Sequence, residues 1–216
     1  MVIFPNAKIN LGLYVTGKRP DGYHNIQSIL YPIPLHDALE VVRAKDDKFR
    51  FSVSGISIEG NEKDNLVVKA WQLLHQDFDL PPVHLHLHKS IPLGAGLGGG
   101  SADAAFLIKY FNQHFNLDLS TQQLQSFAGK LGMDCPFFIE NLPVYATERG
   151  DRLVKIDVSL SGKFLVLVRP DCHVSTGAAY AGIQPVAPSI NLEEAVNQPI
   201  EHWDGLVKND FEKKKK

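Results

Sequence analysis

The stretch Pro92-Leu93-Gly94-Ala95-Gly96-Leu97-Gly98-Gly99-Gly100-Ser101-Ala102-Asp103-Ala104-Ala105 limits what this chain can fold into more than any other segment. Five glycines and a serine stand directly before an apolar run, so the backbone can approach a ligand with no Cβ in the way. The loop follows the strand-like Val83-His84-Leu85-His86-Leu87-His88 and opens a helix that the pattern starts at Ser101. The first amides of such a helix lack acceptors and stand at the positive end of its dipole, which makes an anion site. The arrangement predicts a cradle for the phosphates of a nucleoside triphosphate.

Two commoner phosphate loops do not fit. A Walker loop needs Gly-x-x-x-x-Gly-Lys-Ser/Thr, and no lysine precedes Ser101. Gly94-Ala95-Gly96-Leu97-Gly98-Gly99 matches Gly-x-Gly-x-x-Gly, yet no acidic residue ends a clear second strand at the spacing of the dinucleotide fingerprint. A flexible glycine linker is the plain alternative; Pro92 before the loop and Ala102 to Ile108 after it belong to ordered structure, which favours the cradle.

At 216 residues and 44% hydrophobic, the chain suits one large or two small domains with a substantial core. A formal net charge of −2, with Lys213 to Lys216 the one basic run, offers no footprint for nucleic acid. No stretch approaches the ~18 apolar residues of a membrane span, and the N-terminus carries no charged leader before an apolar run, so neither membrane nor export is expected and the reading is cytoplasmic. Cys135 and Cys172 stand apart, as reduced, buried or half-buried thiols rather than a disulfide or zinc pair. Oligomeric state is not legible.

The first half reads as strands over Ala7 to Val15, Ala38 to Val42 and Phe49 to Val53, with a turn at Asp21-Gly22. Helices are predicted from Leu66 behind the polar Lys63-Asp64-Asn65, from Ser101 to about Phe115, and after Ser120-Thr121, which offer capping oxygens. Strands return at Pro143 to Thr147 and Lys163 to Val168. No repeat or low-complexity linker occurs, and the strand pattern puts a domain boundary within Leu153 to Gly162.

Three segments taken together resemble the GHMP kinases: Ala7-Lys8-Ile9-Asn10-Leu11 with Arg19-Pro20-Asp21-Gly22-Tyr23-His24, then Pro92 to Ala105, then Leu131-Gly132-Met133-Asp134-Cys135-Pro136-Phe137-Phe138. The resemblance runs from Ala7 to about Glu212 and implies an α+β, two-domain GHMP-kinase architecture with the active site in the cleft. An N-terminal ATP-binding domain would span 1–155 and a partial C-terminal domain 156–216. The family usually continues further and carries a Gly-Thr-Gly-Ala type motif that braces the phosphate loop; none is present here, and the lysine tail resembles a truncation, an engineered tail or a sequence error, so the C-terminal domain is expected to be incomplete.

The implied chemistry is ATP- and Mg2+-dependent phosphorylation of a small molecule. Asp21-Gly22-Tyr23-His24 points to the members that phosphorylate the 2-hydroxyl of a cytidine diphosphate-bearing sugar alcohol in non-mevalonate isoprenoid synthesis, and against those acting on homoserine or mevalonate. Lys8 and Asp134 become the catalytic pair: Asp134 accepts the hydroxyl proton, while Lys8 supports the reacting groups and helps keep Asp134 ionised. Taken alone, Lys8 would be a solvated surface residue and Asp134 a turn cap. Asp134 leads into the apolar Phe137-Phe138-Ile139, so a half-buried turn with a cationic partner is expected.

By the same resemblance Pro92, Leu93, Gly94, Ala95, Gly96, Leu97, Gly98, Gly99, Gly100 and Ser101 hold ATP, and Tyr23, His24 and Tyr180 receive the cytidine by stacking and edge contacts. Asn10, ahead of Asn65, adds a polar substrate contact, or satisfies local backbone. Ser101 offers its hydroxyl to a phosphate or the metal, or caps the helix; Asp103 is a weaker ligand. His84, His86 and His88 share one strand face, which reads as an exposed polar face rather than a metal site. A second small-molecule kinase of this fold, and a nucleotide-binding module without turnover, remain the alternatives.

Overall fold

The computed structural model describes residues 1–170, 176–188 and 190–213. The chain forms two compact units, one from Met1–Lys8 with Pro32–Asn141, the other from Ile9–Tyr31 with Leu142–Lys216. The units interleave along the chain, whereas the sequence reading drew one boundary near 155. The cause is the long second strand, which begins in one unit and continues into the other. Cys172 and lysines 214–216 lie outside the described residues.

The first unit is built on a sheet in the order β1-β4-β6-β5, from β1 (Val2–Ile3), β4 (Ala38–Arg43), β5 (Arg50–Gly55) and β6 (Val83–Lys89). β4 runs antiparallel to β6, Leu39 opposite Leu87, and β5 runs parallel to it, Phe51 opposite Leu85. Parallel neighbours need a crossover. Here it is helix α1 (Leu66–Phe78), started by Asn65, whose side chain accepts from Val67 N. Alternation along β6 buries Val83, Leu85 and Leu87 and leaves His84, His86 and His88 on the other face. The buried face meets α2 (Gly99–His114), whose Ala102, Ala104, Ala105, Leu107, Ile108 and Phe111 are closed to solvent. Helix α3 (Thr121–Gly129) starts on a full capping box between Ser120 and Gln123, and α4 (Phe137–Glu140) is a single buried turn.

The second unit contains the sheet β2-β3-β7-β8: β2 (Asn6–Lys18), β3 (His24–His36), β7 (Val144–Thr147) and β8 (Arg152–Lys155). Its core joins Leu11, Tyr14 and Ile29 to Leu192 and Val196 of α6 (Leu192–Val196); α5 (Thr176–Ala181) lies earlier in the chain. β3 is absent from the sequence reading because Pro32 and Pro34 lack the N–H a ladder uses. They are tolerated because the pairing with β7 covers only Ser28 to Leu30. The strand expected over Lys163 to Val168 does not form: Phe164, Val166 and Val168 are exposed and no strand pairs with them among the described residues. β-propensity needs a neighbour to become a strand.

One charged group breaks the apolar parity of β6. Lys89 takes the fourth core-facing position and is closed to solvent, its Nζ donating to Asp37 Oδ2 and, at 2.8 Å, to Asp103 Oδ2 of α2. Burial pushes the Asp103 carboxyl up to about 7 from its ordinary 3.8; Lys89 opposes that shift and Asp37 reinforces it. An acid whose folded value is raised contributes stability below the unfolded value and loses it as pH rises through the folded one. Between pH 4 and 8 the Asp103→Asn protein should therefore gain on the wild type, by about 4 kcal/mol in the difference of unfolding free energies. Denaturant titrations at several pH values read this directly; a pH-independent difference would refute it.

Candidate active site

The chain leaves β6 at Lys89, turns at Leu93-Gly94 and enters α2 at Gly99, two residues earlier than expected. Ser101 therefore sits inside the first turn, and the N-cap is Gly98, which offers no side-chain cap. Gly94, Gly96 and Gly98 all have left-handed backbone, φ +65°, +72° and +70°, with no positive φ at Ala95 or Leu97 between them. Such alternation turns successive N–H groups toward one side and makes an anion-binding concavity. A Cβ on Gly96 would meet nothing within 4 Å, so the loop is open there. A Cβ on Gly98 would lie 2.9 Å from the Phe138 ring and 3.2 Å from Lys8 Cγ, a close approach that requires glycine. The first N–H groups of α2 have no acceptor within the helix, so cradle and dipole favour the same anion.

Lys8 is tied to this loop by its backbone, its N–H donating to Leu97 O at 2.9 Å. Its side chain is 6% exposed and its Nζ lies 3.5 Å from Asp134 Oδ2; the Asp134 side chain is 43% exposed. The expected half-buried turn with a cationic partner is present. Asp134 is held there by its successors: Cys135, Phe137, Phe138 and Ile139 are buried, and Cys135 N donates to Gly132 O. Burial pushes the Cys135 thiol up to about 11, with the Ser101 hydroxyl bonded to it, so Cys135 is a packing residue rather than a nucleophile. Loop, ammonium and accessible carboxylate together can hold an anion and take a proton from a hydroxyl beside it.

Of the other predicted residues, Asn10, Tyr23, His24 and Tyr180 lie in the second unit and Asn65 in the first. His24 stacks on Tyr180 of α5, centroids 5.1 Å apart and planes 22° from parallel, and Tyr180 meets Phe211 edge-on at 5.0 Å. That spacing leaves no slot between the two rings, so a base would stack on the outside of the pair. Tyr23 is exposed, with the Arg149 guanidinium 5.7 Å from its ring and its N–H donating to Asp21 Oδ1. Asn10 Nδ2 donates to Ser28 Oγ at 2.7 Å, and Ser28 in turn donates to Gly12 O, so part of its polarity serves the sheet itself. Asn65 is the cap of α1.

His84, His86 and His88 are engaged on the outer sheet face: Ser52 and Ser54 hydroxyls lie 2.8 Å from the two ring nitrogens of His86, Ser54 lies 2.9 Å from His88, and His84 reaches Asp46 at 3.1 Å. No group of three metal-ligating side chains occurs among the described residues. Sequence reasoning missed Asp37 and Lys89 and undervalued Asp103. The signal was available: in Val83-x-Leu85-x-Leu87-x-Lys89 the lysine falls on core parity, and a buried ammonium requires carboxylates.

Gly98→Ala should lower the unfolding free energy by about 1–3 kcal/mol, since it adds left-handed strain to the clash with Phe138. Adding Phe138→Leu should return part of the thermal midpoint; no recovery would leave strain, not contact, as the cause.

Residues 65–141 match the family model described as the GHMP kinases N terminal domain. A curated relative from Bacteroides fragilis (strain YCH46), "4-diphosphocytidyl-2-C-methyl-D-erythritol kinase", is 53% identical over 99% of this chain and 78% of its own length. A relative of the same name from Cytophaga hutchinsonii is 47% identical with the same coverage of each. Among solved structures, a crystal structure of 4-(cytidine 5'-diphospho)-2C-methyl-D-erythritol kinase superposes with a TM-score of 0.75 at 28% identity, over 91% of this chain and 70% of that one. Methanococcus jannaschii mevalonate kinase, at TM-score 0.55 and 15% identity over 73% and 56%, shares the fold. With the glycine loop, Lys8 and Asp134 in one unit and half its residues identical to those of such relatives along nearly its whole length, the chain belongs to the 4-diphosphocytidyl-2-C-methyl-D-erythritol kinase family of GHMP kinases.

Proposed function

We propose that this chain transfers the γ-phosphoryl group of ATP to the 2-hydroxyl of 4-diphosphocytidyl-2-C-methyl-D-erythritol, a step in making isoprenoid precursors without mevalonate. The observation that carries the proposal is the Lys8–Asp134 pair at 3.5 Å, with Lys8 bonded through its backbone to the glycine loop. The loop from Pro92 to Ser101 holds the ATP phosphates through its N–H groups, which begin at Leu93 because Pro92 has none. The substrate oxygen attacks the γ-phosphorus, its proton passes to Asp134, the bond to the bridging oxygen breaks, and ADP leaves with the electron pair. Transfers of this kind depend on position and on neutralised charge more than on covalent help. Lys8 supplies a fixed positive charge beside the carboxylate that takes the proton.

The side-chain oxygen of the loop is Ser101 Oγ, and one neutral oxygen suits an ion that keeps most of its water and phosphate ligands, as Mg2+ does. Mg2+ arriving with ATP would neutralise phosphate charge, with Ser101 as its contact on the loop. His24, Tyr23 and Tyr180 receive the cytosine on the outer face of the stacked pair, and Asn10 adds a polar contact. The reaction so proposed belongs in the cytoplasm, where ATP is supplied.

ADP release on adding MgATP and the cytidine substrate tests the function. Asp134→Asn should lower kcat about 10²–10⁴-fold while leaving MgATP affinity within a few-fold. Wild-type turnover that survives in the variant would remove Asp134 as the base, and no wild-type turnover on this substrate would defeat the proposal. Tyr180→Ala should raise KM for the cytidine substrate about tenfold with KM for ATP unmoved; an equal rise in both would place Tyr180 outside the substrate site.

A further inference from the structure

Asp37, Lys89 and Asp103 have no part in the chemistry just assigned, yet they lie against both ends of the glycine loop. Lys89 is the last residue of β6, Asp37 lies between β3 and β4, and Asp103 is in the second turn of α2. All three are buried. The two oxygens of Asp37 divide their work: Oδ1 accepts from Ser90 N at 2.6 Å and Ile91 N at 2.8 Å, and Oδ2 accepts from Lys89 Nζ. Asp37 thus grips the chain where it leaves the strand and starts the loop. Asp103 grips the helix that ends it, and Lys89 Nζ joins the two carboxylates. A Cβ on Gly99 would lie 2.9 Å from Ile91 Cγ2 and 3.2 Å from Lys89 Nζ, so the first turn of α2 rests directly on this assembly.

Stability does not account for it. A buried ion cluster costs desolvation that packed apolar side chains would not, and replacing such clusters is often neutral or favourable. Asp103 Oδ1 adds to the cost, being buried with no hydrogen-bond partner. What the cluster supplies that methyl groups cannot is direction: four hydrogen bonds hold the strand end and the helix at one separation. Anion-holding amides need their geometry kept to about 0.5 Å, and a displacement of about 1 Å costs on the order of 10² in rate. We propose that Asp37, Lys89 and Asp103 are positioning residues for phosphoryl transfer, a buried clamp that fixes the two ends of the glycine loop so that its amides meet the ATP phosphates in register. The proposal rests on the reading of that loop as the ATP site.

Asp103→Leu cuts the helix from the clamp and leaves Lys89 paired one-to-one with Asp37. Asp103→Asn removes the charge but keeps an acceptor for Lys89 Nζ. MgATP and adenosine affinities by calorimetry, together with kcat and both KM values, separate positioning from packing. Asp103→Leu should weaken MgATP binding and lower kcat/KM for ATP 10–100-fold, leave adenosine affinity and KM for the cytidine substrate within twofold, and be restored most of the way by Asp103→Asn. The same pattern is expected of the triple variant Asp37→Asn, Lys89→Met, Asp103→Leu, which buries no charge and serves if the single variant does not fold. Wild-type MgATP affinity and kcat in the leucine variant, or equal losses for adenosine and MgATP, would overturn the clamp while leaving the loop's assignment intact. Failure of the wild-type protein to bind MgATP would overturn the loop's assignment and the clamp with it.

Discussion

A lysine ammonium in a protein core has to be met by carboxylates, and the way the chain enters the glycine loop follows from that requirement. Lys89 draws Asp37 and Asp103 to one point from segments 52 and 14 residues away in the chain. Because Asp37 also binds the two amides that follow Lys89, the path of the chain out of β6 is set before the first glycine is reached. The glycines then have little left to decide except the direction of their N–H groups.

The pair beside the loop is held differently. An ion pair with one partner 43% exposed is worth about 0–1 kcal/mol, too little to place either group. Placement comes from apolar burial: Phe137 and Phe138, each worth roughly 1.5–3 kcal/mol when buried, anchor the turn that presents Asp134. On the other side the strand hydrogen bonds of β2 and the bond from Lys8 N to Leu97 O fix the lysine stem. The Phe138 ring also presses on the position where Gly98 would carry a Cβ, so one aromatic side chain serves both the loop and the turn. Accessible charge is thereby kept at a defined place by neighbours that gain from being dry.

Local signals were legible where the physics is local. Asn65 before α1 and the Ser120–Gln123 box before α3 satisfy amides within a few residues, so their sequences suffice. The start of α2 was placed two residues late because Gly98 caps it through backbone conformation alone, which no side chain announces. β3 was missed because its prolines count against a strand unless the partner strand is known to stop short of them. Residues 163–168 erred the other way, their apolar, β-branched run having no partner among the described residues. The site shows the same division: Lys8, Asp134 and the glycines stand in recognisable segments, whereas Lys89 was hidden in plain alternation.

By itself the sequence determined the chemistry on offer: a glycine loop between strand and helix, a lysine and an aspartate in matching segments, a histidine face and an apolar face separable by parity, and helix starts written in their caps. These depend on residue type and on spacing along one element, which the covalent chain carries unaided. Only the tertiary structure decided which of those groups meet. Lys8 reaches Asp134 across more than a hundred residues, His24 lies against Tyr180, and Asp103 turns from a doubtful ligand into the helix end of a buried clamp. Contacts between distant segments are selected by the burial of apolar faces and by the cost of leaving a buried charge unpaired, and neither is a property of any short stretch of sequence.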